Sequence, residues 1–72
     1  MDVVLEASDG RVVGIEVKAA HSVNPRDTRG LEHLRDRLGK QFVAGVVLNC
    51  GSHTQRLSDR ILVAPVDLLW LD

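Results

Sequence analysis

Two short runs rich in Val, Leu and Ile, residues 2–7 and 11–20, flank the turn residues Ser8-Asp9-Gly10, and this commits the amino-terminal part to a β-hairpin. A two-residue Asp9-Gly10 turn pairs Ser8 with Arg11 and sets Val3 opposite Glu16, mixing charge into the apolar face. A three-residue loop, with Gly10 in the left-handed conformation, pairs Ala7 with Arg11 and brings Asp2 opposite Glu16 instead. This second register gathers Val3, Leu5, Val13, Ile15 and Val17 on one face, and Asp2, Val4, Glu6, Val12, Gly14, Glu16 and Lys18 on the other. It separates core from charge and is the register expected. Because side chains alternate along a strand, Glu16 and Lys18 share one face of it.

The hairpin is followed by a helix start. Asn24 suits the N-cap, Pro25 the first helical position, and Asp27 the first turn near the positive end of the dipole; Gly39 ends the helix. Leu31, Leu34 and Leu38 form one stripe, expected to pack on the apolar side of the sheet. Gly30, inside this helix, costs about 1 kcal/mol relative to Ala. Residues 42–48 are apolar throughout, as in a strand buried on both faces near the centre of a sheet. Strand, helix, strand implies a crossover, with this strand parallel to the second arm of the hairpin. Residues 51–60 are polar and read as a loop or a short hairpin around Ser58-Asp59. Residues 61–64 read as a last strand of unspecified direction, and residues 65–71 as a short helix or apolar tail. The expected fold is α/β: a small mixed sheet built from a hairpin, a crossover helix, a parallel central strand, and a short C-terminal strand and helix.

At 72 residues the chain is a single domain near the lower size limit for an unstapled core, which makes a partner or a second copy plausible. A net charge of −1 gives no general attraction to phosphate backbones, so nucleic-acid binding would need local patches or a bound cation. The arginines of the helix and of the Arg56/Arg60 loop are interrupted by Glu32, Asp36 and Asp59, and a solvated face is expected there. The lone Cys50 cannot form an internal disulfide, and no signal segment or membrane-length apolar run is present, which leads to the expectation of a cytoplasmic protein that does not enter the membrane. Cys50 ends an apolar strand and is expected to be a buried, inert thiol. His21, His33 and His53 lack a zinc-ligand spacing and read as surface histidines.

Asp2 and Glu16 on adjacent strands are a carboxylate pair able to hold Mg²⁺ together with waters, and Lys18 beside them could orient a water or stabilise charge on a phosphate. The alternative for the same residues is a solvated sheet face on which Glu16 and Lys18 pair with neighbours. Asp2-Val3-Val4-Leu5-Glu6 followed by Gly14-Ile15-Glu16-Val17-Lys18-Ala19 resembles the Asp…Glu-x-Lys core of the PD-(D/E)XK nuclease-like superfamily. More closely, the chain resembles the uncharacterised C-terminal domain of a family of prokaryotic AAA-type ATPases, through Arg29-Gly30-Leu31, residues 42–48 and residues 60–70.

The resemblance implies a restriction-endonuclease-like core, with Asp2 and Glu16 as ligands of Mg²⁺ (Mn²⁺ as substitute), Lys18 as the catalytic lysine, and nucleic acid as substrate. The helix that precedes the hairpin in the superfamily is absent before Asp2, and no G-x-x-x-x-G-K-[ST] phosphate loop occurs, so the chain is expected to be a truncated C-terminal piece lacking its first helix. That loss would leave Val4, Val12 and half of residues 42–48 uncovered on the face carrying the acids, favouring a homo-oligomer or a partner chain there. The rival expectation is a non-catalytic interaction or oligomerisation module of an ATPase-related protein.

Overall fold

The structure, a computed structural model, describes residues 3–67. Five strands form one sheet in the order β1-β2-β3-β5-β4: β1 Val3–Glu6, β2 Val12–Val17, β3 Phe42–Asn49, β4 Gln55–Ser58 and β5 Ile61–Pro65. One helix, α1 Pro25–Leu38, links β2 to β3 and continues into a 3₁₀ turn, Gly39–Gln41. β2, β3 and β5 run parallel, while β1 and β4 are antiparallel edges. The α/β fold and the mixed sheet are as the sequence implies, with β3 at the centre. The expected helix or tail over residues 65–71 lies largely outside the described residues; within them, Pro65 is the last residue of β5.

The hairpin takes the three-residue loop. Val3 pairs with Ile15, Val4 with Gly14, Leu5 with Val13 and Glu6 with Val12, and the Ala7 N–H donates to the Arg11 carbonyl at 2.8 Å. Gly10 has φ +91°, a conformation in which a side chain is strained, and its N–H closes the loop on the Ala7 carbonyl at 3.0 Å. The helix start is also as expected. The Asn24 side chain accepts from the Arg26 N–H at 3.0 Å, and the Asp27 carboxylate accepts from the Asn24 N–H at 2.8 Å, completing a capping box with Pro25 at the first turn.

The helix packs on the face opposite to the one expected. The core consists of Leu31, Phe42, Val47, Ile61 and Val63, with Val23, Leu34 and Leu38 against it. Val47 pairs with Glu16 and Gly45 with Gly14, so these core residues share a face with Val12, Gly14, Glu16 and Lys18. The physical reason is close approach: a Cβ at Gly45 would lie 2.9 Å from Phe42 Cζ and 3.3 Å from Leu31 Cβ. Gly45, paired with Gly14, leaves the space that Leu31 of α1 and Phe42 occupy. Val12 is accordingly buried and does not lie in an uncovered patch; Val4, on the β1 edge beyond the helix, is exposed. The exposed apolar surface is mainly on the other face, where Val3, Leu5, Val17 and Val43 are each at least two-fifths accessible.

At the far end of the sheet, β4 and β5 form a second hairpin turning at Asp59-Arg60. Arg60 holds φ +60°, uncommon for a residue with a side chain, and its Nη1 donates to the carbonyls of Gly39 (2.8 Å) and Phe42 (2.6 Å) while the guanidinium sits 5.6 Å from the Phe42 ring centre. This ties the hairpin to the α1–β3 connection.

Candidate functional site

Glu16 is half-buried near the carboxyl end of β2, and Lys18 follows just past the strand, its N–H still donating to the Leu48 carbonyl of β3 at 2.8 Å. The Lys18 ammonium meets Oδ1 of Asp27 at 2.8 Å, while the other oxygen of that carboxylate caps Asn24. One carboxylate thus binds the end of β2 to the first turn of α1. The Lys18 hydrogen bond, followed by the Asn24 N–H, holds the Asp27 carboxyl below its ordinary value of 3.8, against a smaller opposing effect of burial.

The structure therefore brings Glu16 and Lys18 to one face and adds Asp27 to them. Asp2 lies outside the described residues. From its position in the chain Asp27 has only a helix-dipole role; the signal for more was the Asn24-x-x-Asp27 spacing of a capping box, which places an acid where the strand preceding the helix ends.

Among the described residues no group of three His, Cys, Asp or Glu side chains is placed to hold a metal ion. A cation at Glu16 would draw, among the described residues, on that carboxylate and on waters. One or two carboxylates with retained waters is a donor set that suits Mg²⁺, and hard oxygen ligands suit it over softer metals.

A cleft lies elsewhere, at the loops following β2 and β3. It has a volume of about 530 Å³ and is lined in part by His21, Asn49, Cys50, Ser52 and His53, without Glu16 or Lys18. Asn49 is buried, with Oδ1 accepting from the Gly51 N–H at 3.1 Å and Nδ2 directed at the His21 carbonyl at 3.5 Å. The Cys50 N–H donates to the Ala20 carbonyl at 2.8 Å, which stitches the two loops together. His21 Nδ1 lies 3.2 Å from the Cys50 carbonyl, which can only accept, so this nitrogen carries the proton. Cys50 itself is exposed, contrary to the buried thiol expected: β3 ends at Asn49, and the next residue has already turned out of the sheet. His21, His33 and His53 are exposed, as expected.

Fold and site together define a small α/β domain with a mixed sheet and a carboxylate–lysine face under the start of its only described helix. Its family is one described as a domain of unknown function, DUF4143: that family's model matches residues 1–69, and the chain belongs to it. No curated protein and no solved structure matches the chain. Among the described residues no helix is long and apolar enough to cross a membrane.

Proposed function

We propose that this domain is nuclease-like and acts on phosphodiesters of nucleic acid, using Glu16 and Asp2 to hold Mg²⁺ and Lys18 as a fixed positive charge. The observation that carries this reading is the placement of Glu16 and Lys18 on one face at the carboxyl end of a central parallel strand, with the Lys18 ammonium fixed by Asp27 at 2.8 Å. Ligand and catalytic groups in open α/β sheets gather at such strand ends. When bound, Mg²⁺ would polarise the phosphodiester and lower the pKa of an attacking water. Lys18, about a third exposed and held by Asp27, would oppose the negative charge that develops on the phosphate, and its preset position would spare the cost of reorganising during reaction.

Calorimetry with Mn²⁺ and with Mg²⁺ on this chain and on Glu16→Gln tests the metal site. Binding that is lost in the variant is the expected result; equal heats in both, or none in either, would remove it. Lys18→Ala should abolish cleavage while metal binding persists.

A second reading is a non-catalytic interaction or oligomerisation module derived from the C-terminal domain of an ATPase. It is favoured by the exposed Val3, Leu5, Val17 and Val43 on the face opposite α1, a patch of the sort used for contact with another chain or a second copy. Under it, Lys18→Ala is silent for function, and the solution mass exceeds that of a monomer and falls in Leu5→Ser.

A further inference from the structure

The outward side of α1 carries a row of basic side chains. With 3.6 residues per turn, Arg26, Arg29, His33 and Arg37 fall within an arc of about 80°, and the row runs about 16 Å from Arg26 to Arg37. All four are exposed, as is Lys40 just past the helix end. The acids that interrupt these arginines in the sequence form no ion pair with Arg26, Arg29 or Arg37, although Asp27 still attracts Arg26 through space, and each takes a hydrogen bond from another group. Asp27 is bound to Lys18 and the Asn24 N–H, Glu32 accepts from the Thr28 hydroxyl at 2.9 Å, and Asp36 accepts from Arg35 at 3.0 Å. The side chains of Arg26, Arg29 and Arg37 make no hydrogen bond or ion pair among the described residues. Flanking the row, about 20° around the helix from Arg37, is Gly30, exposed and bordering a shallow groove shared with His33, Leu34, Asp36 and Arg37. A glycine costs helix stability here but lets a ligand come close to the backbone.

We infer that this row is a docking surface for the phosphate backbone of duplex nucleic acid, and that it leads a strand toward Glu16 and Lys18. The choice of polyanion rests on the phosphodiester reading above. Geometry and chemistry support it further. The row begins at Arg26, beside the Asp27 that holds Lys18, so a backbone laid along α1 passes the candidate site. An anionic membrane is disfavoured because an interfacial helix needs an apolar face to insert, and that face of α1, with Leu31, Leu34 and Leu38, is packed on the sheet. α1 carries no aromatic side chain, and the one aromatic among the described residues, Phe42, is fully buried, so contact along this row is to phosphates, independent of sequence.

The test is fluorescence anisotropy of a labelled 20-base-pair duplex with the whole chain, in EDTA so that neither metal nor cleavage contributes. Contacts from Arg26, Arg29, Arg37 and Lys40 should give a slope of log K against log salt of about −3 to −4, and the triple variant Arg26→Gln, Arg29→Gln, Arg37→Gln should flatten it by about 2.7 and lower affinity at least tenfold in dilute salt. The matching triple Arg→Lys variant should restore both, which separates charge from any change in folding. Absence of binding by the unaltered chain, equal binding by the Gln variant, or tighter binding to polyglutamate or to phosphatidylserine vesicles would each overturn the inference. Binding in EDTA without cleavage in Mg²⁺ would leave the row standing and remove the nuclease reading.

Discussion

The two faces of the sheet are built from opposite materials and meet opposite fates. One carries Glu16 and Lys18 and is covered by the helix; the other carries Val3, Leu5, Val17 and Val43 and is left in part to solvent. Hydrophobicity therefore does not by itself decide which face a helix takes. The deciding factor is how closely the helix can approach, and Gly45 lets Leu31 and Phe42 close over the strands where a larger residue would hold α1 away. The charged groups on that face lie toward its rim, where Lys18 finds Asp27.

The largest test of this contrast is a matched pair of truncations. Leu31→Ala, at a side chain with no exposure, should cost about 2–5 kcal/mol, whereas Leu5→Ala, 55% exposed, should stay within about 0.5 kcal/mol, both measured by urea unfolding. Similar losses at the two positions would mean that the bare face is covered in solution. The close approach at Gly45 is tested by Gly45→Ala. Its new methyl would meet Phe42 Cζ at 2.9 Å and two Leu31 carbons at 3.2 and 3.3 Å, which should cost about 1–3 kcal/mol by overpacking. A neutral result would remove close approach as the reason for the choice of face. Gly30→Ala, on the exposed side of the same helix, should act in the other direction and stabilise by about 0.8–1 kcal/mol, seen as a raised urea midpoint.

Much of this arrangement was legible in the sequence. The hairpin register followed from keeping charge out of the apolar face, the helix start from Asn24, Pro25 and Asp27, and the central strand from the unbroken apolar run ending at Leu48. What misled was counting side chains. Gly14 and Gly45 contribute none, so their face looked the poorer partner for a leucine stripe. The β4–β5 hairpin was legible only as one of two options, a loop or a short hairpin around Ser58-Asp59, because Gln55–Ser58 is a short, exposed edge strand without apolar alternation, and the direction of β5 stayed unread with it. The Lys18–Asp27 contact joins residues on different elements, and its partner choice depends on the face the helix takes.

That contact also offers the smallest and most specific test of how the covered face tolerates charge. Asp27 titrates below its ordinary value of 3.8 because Lys18, and then the Asn24 N–H, favour its ionised form. A carboxyl depressed by folding contributes stability that is fully present above its unfolded value and is lost as pH falls through the lower native value. The unaltered chain should therefore lose stability as pH drops below 3.8, and Asp27→Asn should lose less over the same range, since its amide can still accept from the Asn24 N–H but has no proton to take up. The comparison is made by following the urea midpoint at pH 7, 4 and 3 for both chains. Parallel acid sensitivity would mean that Lys18 does not hold Asp27 in solution, and that the ammonium lacks the preset position its role toward the phosphate relies on.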